Sequence, residues 1–223
     1  MEYFALFILE LVVLFVLSRV FSKIFSQVLL RFTRSQSATI HILSFLFLPG
    51  VILHELAHWF VAGMLLVPTG EMEFVPQIQG NSVKLGSVAI GKTDPFRRFL
   101  IGVAPLLVGL IAMFGLFASV SSVVPQLNWQ TLLLVYVFFE IGNTMFSSKK
   151  DMEGALYLVG FLVILGILIY FLGLRIPLSA FEDFFLQPVV VSFLQKADIM
   201  LLFPIGINLF LCLPSIIRSK KSY

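Results

Sequence analysis

Runs of about 20 apolar residues recur along the chain, roughly at Tyr3–Phe21, Thr39–Leu66, Arg98–Val120, Leu127–Phe146, Gly154–Leu174 and Asp198–Ile217. About 20 residues of helix cross a hydrocarbon core of ~30 Å. The expected fold is therefore an all-α membrane protein with about six transmembrane helices, forming one polytopic domain over residues 1–223. Charge agrees with this. Only 12% of the 223 side chains are charged, about half the share in a soluble domain. That leaves too little polar surface to coat a soluble enzyme, and it excludes a disordered chain and a nucleic-acid binder. Cys212 is the single cysteine, so neither an intrachain disulfide nor a cysteine metal cluster is expected.

The first run is expected to be a retained helix. Met1-Glu2-Tyr3 is not a basic lead-in, and the apolar run continues through Arg19-Val20-Phe21 without a small-x-small cleavage site. Lys and Arg in short loops set orientation. They gather at Lys84, Lys92, Arg97 and Arg98, at Lys149 and Lys150, and at Arg218, Lys220 and Lys221. This places those segments and both termini in the cytoplasm. Ser22–Ala38 disagrees, because Lys23, Arg31 and Arg34 would lie outside. Its mixture of apolar and basic residues reads as an amphipathic helix on the membrane surface.

Two further stretches leave the pattern. Between Glu71 and Gly91, Val83, Leu85, Val88 and Ile90 alternate with smaller or polar residues, and Gly80-Asn81 supplies a turn. Gly86-Ser87 shifts the parity, as a bulge does. A small β-hairpin on the cytoplasmic side after the second span is expected. Leu178–Ala197 is apolar but broken by Glu182-Asp183 and Pro188, and reads as an interfacial helix or re-entrant stretch.

The second run contains His54-Glu55-Leu56-Ala57-His58, an H-E-x-x-H sequence. A spacing of four stacks the two imidazoles on one helix face, where they can hold one Zn²⁺ at ~2.0–2.1 Å. Glu55 then lies beside the ion as a general base. Such matches arise by accident in soluble helices, where they cost nothing. In hydrocarbon a carboxylate costs about 2.5–3.5 kcal/mol even on the lenient scale, and metal binding can offset that. His41 lies off this face and reads as an interfacial residue.

A catalytic zinc site takes three protein ligands and a water. Glu140, Asp151 and Glu153 are open as the third ligand. Asp151 has the right depth if its turn dips into the bundle, although an ordinary helix cap before the next apolar run explains it too.

Three separated elements resemble the site-2 protease family of intramembrane zinc metalloproteases, in a compact form. They are His54-Glu55-Leu56-Ala57-His58, Gly102-Val103-Ala104-Pro105, and Asn143 with Asp151 eight residues on. The last is similar to the family's N-x-x-P-x-x-x-x-D-G element, but Phe146 and Met152 replace its Pro and Gly. The resemblance covers a catalytic core of about residues 39–154. It implies that His54, His58 and Asp151 ligate one zinc ion, that Glu55 is the catalytic base, and that Asn143 anchors substrate backbone. The expected chemistry is zinc-assisted hydrolysis of peptide bonds in a transmembrane protein substrate, near the cytoplasmic face of the bilayer. Val88 and Ile90 would hold the unwound substrate by strand addition. Two alternatives stand beside it: a membrane zinc hydrolase of other peptides or lipid-linked substrates, which would use the same ligands, and a non-enzymatic metal-binding membrane protein.

Overall fold

The chain from Glu2 to Thr33 contains neither Gly nor Pro, and nothing interrupts the helix that its apolar residues favour. In the computed structural model, which describes residues 2–79, 82–121, 128–146, 148, 151, 153–173 and 178–220, it forms one helix, α1 (Glu2–Thr33). Arg34 adopts a φ of 52°, a left-handed conformation that stops helices. Ser35 then caps α2 (Gln36–Leu46) by accepting the Ala38 N–H at 3.3 Å. The separate surface helix expected over Ser22–Ala38 is thus not formed. Without a breaker, its first part simply extends α1.

The expected second span is two helices. α2 ends at Phe47, α3 (Leu48–Met64) begins beyond it, and the axes differ by 69°. Pro49 lies in the first turn of α3, where its missing N–H is tolerated. At the break the Tyr136 hydroxyl donates to the Leu46 carbonyl.

Four short strands follow: β1 (Thr69–Glu73), β2 (Gln77–Gln79), β3 (Ser82–Lys84) and β4 (Ser87–Ile90). β2 pairs with β3 and β1 with β4, both antiparallel. The expected hairpin is therefore present, with a second tier beneath it. Its turn at Gly80-Asn81 lies outside the described residues. The parity change at Gly86-Ser87 falls at the interruption between β3 and β4.

The remaining helices are α4 (Pro95–Ser121), α5 (Trp129–Thr144), α6 (Glu153–Phe171), α7 (Leu178–Leu186) and α8 (Pro188–Lys220). Asp94 starts α4 by accepting the N–H groups of Phe96 and Arg97 at 3.1 and 3.0 Å. The Arg97 N–H and a side-chain contact with the same residue hold the Asp94 carboxyl below the usual carboxylate range. Asn128 caps α5 in the same way, through Thr131. The stretch expected to be interfacial becomes α7 and the first turns of α8.

Leu14, Met113, Phe138, Ile141, Met145, Met200, Leu201 and Ile205 form the main core, joining α1, α4, α5 and α8. Phe21, Phe47, Val51 and Cys212 form a second one around the break before α3. The described side chains of α6 are largely exposed, Tyr157, Phe161, Ile164 and Phe171 among them. Apolar exposure on this scale belongs in lipid. Among the described residues α1, α4 and α8 are long and apolar enough to cross a membrane, and α2 with α3 makes a fourth crossing if the bent pair is one span. The chain is a mostly helical membrane protein with a small antiparallel sheet.

Candidate metal centre

Residues 54 and 58 of α3 lie one turn apart on one face, and the structure brings their Nε2 atoms to 3.2 Å. Each ring is fixed by its other nitrogen. His54 Nδ1 lies 2.7 Å from the Thr144 carbonyl, at the end of α5. His58 Nδ1 lies 2.8 Å from the Ile101 carbonyl of α4. Only a protonated Nδ1 can bond a carbonyl, so in the neutral ring Nε2 carries the lone pair. This is the backbone support that metal-ligating histidines receive.

Asp151 closes the triangle. Its Oδ2 is 3.9 Å from His54 Nε2 and its Oδ1 is 3.6 Å from His58 Nε2. Two bonds to Ser148 hold it: Ser148 N–H donates to Asp151 Oδ2 at 2.6 Å, and Asp151 N–H donates to Ser148 Oγ at 3.3 Å. Burial opposes the charge on Asp151. The two rings, when each also carries a proton on Nε2, together with the Ser148 N–H more than offset it and hold the carboxyl well below the usual carboxylate range.

Three lone-pair donors that face one another require a positive charge between them, either a proton or a metal cation. The spacing suits a cation. A tetrahedral ion with ligands at about 2.0–2.1 Å holds its ligand atoms about 3.3 Å apart; the two imidazoles stand at 3.2 Å, and the carboxylate oxygens lie somewhat farther, at 3.6 and 3.9 Å. His54, His58 and Asp151 form a group that can hold a metal ion, with ligand atoms all within 4.8 Å.

Close backbone approaches set this geometry. A Cβ built at Gly102 would lie 1.9 Å from the Asp151 carbonyl oxygen. At Gly50 it would lie 2.3 Å from Thr144 Oγ1 and 2.9 Å from the Glu140 carbonyl, so α5 rests directly on α3 one turn before His54. At Gly86 it would meet Val51 Cγ1 at 2.6 Å and Glu55 Cγ at 3.2 Å. The strand connection is thus seated against Glu55.

His54, Glu55, His58 and Asp151 share one cavity of about 330 Å³, at the lower end of ligand pockets. Val88, Ala89 and Ile90 of β4 form one wall, and Arg98, Ile101 and Gly102 of α4 form another. Gly91 N–H donates to the Pro68 carbonyl on the β1 side. By the period of two, the N–H groups of Ser87 and Ala89 face β1, and those of Val88 and Ile90 face the other edge. No other strand pairs with that edge among the described residues.

Other expected residues are placed elsewhere. Asn143 does not line the cavity. Its amide donates to the Phe139 carbonyl at 2.8 Å, and its Oδ1 is buried with no partner among the described residues. Glu140 is fully buried, its carboxyl oxygens have no partner among the described residues, and it does not join the ligand group. The Glu153 side chain, Ser147, Lys149, Lys150 and Met152 lie outside what the structure describes. His41 is exposed on α2 and bonds the Ser37 carbonyl.

Sequence reasoning missed Gly50 and Ser148; it read Gly86 only as a shift of strand parity, Arg98 only as an orienting charge, and Gly102 only as part of a motif. A signal was there for Gly50 and Gly102, since glycine inside a helix costs about 1 kcal/mol and usually has a packing reason. Compared with protein-family models, curated proteins and solved structures, the chain matches none.

Proposed function

We propose that this chain is an intramembrane zinc metalloprotease of the site-2 protease type. One observation carries the proposal: two histidines of α3 and an aspartate from beyond α5 converge within 4.8 Å, and Glu55 lines the same cavity. The set is one carboxylate with two imidazoles, the donors that zinc accepts. A third protein ligand from a loop leaves room for substrate, unlike a closed structural site.

His54, His58 and Asp151 hold the ion. When bound, zinc supplies a Lewis acid that polarises a carbonyl and makes water acidic near neutral pH. Glu55 lies between the two histidines in sequence and is 8% exposed. Its carboxylate takes a proton from the attacking water and returns one to the leaving amine. The Thr144 and Ile101 carbonyls keep both rings aimed throughout. A transmembrane helix hides its carbonyls in internal hydrogen bonds, so the substrate must be unwound before cleavage. The outward N–H groups of Val88 and Ile90 offer the extended segment a strand to pair with. Asn143 is given no part, because its amide is engaged by Phe139.

In this proposal the chain crosses the bilayer about six times, as α1, the bent α2–α3 pair, α4, α5, α6 and α8. Both termini and the sheet lie on the cytoplasmic side, which the distribution of Lys and Arg supports.

The test uses the purified chain in lipid bilayers, with single-span substrates and soluble peptides side by side. Chelation should stop cleavage of the single-span substrates, and zinc should restore it. Cleavage that survives complete metal removal, or that ignores Glu55→Gln, would overturn the proposal.

A further inference from the structure

The chemistry above leaves one charge on the cavity wall without a role. Arg98 lines the cavity with His54, Glu55, His58 and Asp151. It precedes Ile101 by three residues and Gly102 by four, so all three share one face of α4. Ile101 anchors His58 through its carbonyl, and Gly102 packs against Asp151. That face is therefore the one turned to the ligands, and Arg98 stands about one turn, roughly 5 Å, along it towards the start of the helix. Among the described residues that line the cavity, Arg98 carries the one permanent positive charge. The facing strand residues Val88, Ala89 and Ile90 are apolar.

We propose that Arg98 is a specificity residue that binds a substrate carboxylate close to the scissile bond. The inference rests on the hydrolase function proposed for the same site. A guanidinium presents a planar fork of N–H donors that matches a carboxylate, and it keeps its charge at any working pH. Beside apolar walls such a pair is more strongly coupled than in water. A lysine of the substrate at the same position is repelled. Two sources can supply the carboxylate: an Asp or Glu side chain within a longer chain, or the free C-terminus of a short peptide.

Binding tests this without catalysis. The zinc-loaded Glu55→Gln chain in lipid nanodiscs is titrated with fluorescent decapeptides in which Asp or Lys is moved along a neutral apolar sequence. Each peptide is made with a free and with an amidated C-terminus. At one position Asp should bind about 10- to 100-fold tighter than Lys, the range for a hydrogen bond to a charged group. Adding Arg98→Glu should invert the preference, and Arg98→Lys should keep part of it. Preference lost on amidation identifies the terminal carboxylate, and preference retained identifies the side chain. Metal content unchanged in Arg98→Glu separates recognition from a structural role. The absence of a charge preference, a preference that survives Arg98→Glu, or the absence of peptide binding overturns the assignment. A preference that inverts while no peptide is cleaved in a Glu55-dependent way keeps Arg98 as a carboxylate-binding residue and removes the hydrolase. Charge-blind but Glu55-dependent cleavage does the reverse.

Discussion

The Asp151 backbone crosses α4 at Gly102 with no room for a methyl group: a Cβ there would come within 1.9 Å of the Asp151 carbonyl oxygen. The obstructing atom is backbone, so the loop itself must move. Displacing a reacting group by 1 Å costs about 10²-fold in rate, and the shift in Gly102→Ala is at least that large. The variant should keep α4 and lose Asp151 from the metal group, with metal affinity and cleavage each falling about 10- to 100-fold. Metal titration of the folded variant checks this, and an unchanged affinity would show that the loop is seated by other contacts.

Removing a ligand should be more severe than moving it. His54→Ala, His58→Ala and Asp151→Ala should each bind at most about one-tenth of the zinc held by the parent chain under the same conditions, and Glu140→Ala should retain the metal. Elemental analysis after desalting gives the answer. Zinc retained in Asp151→Ala but lost in Glu140→Ala would assign the third ligand to the wrong carboxylate.

Glu55 should behave differently from its neighbours. Glu55→Gln keeps the side-chain volume and removes the base. Zinc should stay at full occupancy while turnover falls by about 10²- to 10⁴-fold, the usual contribution of general acid–base catalysis. The decisive combination is metal content with turnover. Loss of zinc together with activity would make Glu55 a ligand or a structural residue.

A proline scan of β4 separates substrate pairing from sheet stability. Val88→Pro and Ile90→Pro delete N–H groups that face away from β1, a position where an edge strand tolerates proline. Ala89→Pro deletes one that faces β1 and should disrupt the sheet. The first two should raise KM for an extended substrate several-fold with metal content intact. Equal kinetics in the parent and both variants would mean that the edge holds no substrate.

The parts of this molecule that repeat were legible in its sequence, and the parts made by close approach were not. Apolar run length identified the long helices, and the helical period alone puts His54 and His58 on a shared face. Asp151 was one of three acidic candidates, because nothing in its sequence neighbourhood says that it lies against α3. What seats it is Gly102, about 50 residues away, together with the Ser148 bonds. The extent of α1 was misread for a related reason. Its basic residues suggested a surface helix, yet charge does not end a helix, and no Gly or Pro appears before Arg34. The two-tiered sheet was half visible. Alternation revealed β3 and β4, and the Gly80-Asn81 turn implied a partner before them, but β1 (Thr69–Glu73) has too few apolar residues to show a period of two.

The break at Phe47 has a consequence for the lipid itself. It leaves α3 with 17 residues, about 25 Å of helix, while α2 turns away by 69°. An average hydrocarbon core is some 5 Å thicker than that. In the proposed topology α2 makes up the difference, because its 11 residues at 69° to α3 add about 6 Å of depth. The crossing beside the ligand pair then matches the core only through the bend, and a sharper bend would have to be met by thinning the bilayer there. A long, unbroken helix arriving from the bulk membrane would be mismatched beside it. Hydrophobic thickness thereby becomes a variable of the site, and short-chain and long-chain lipids present the same residues with different neighbours.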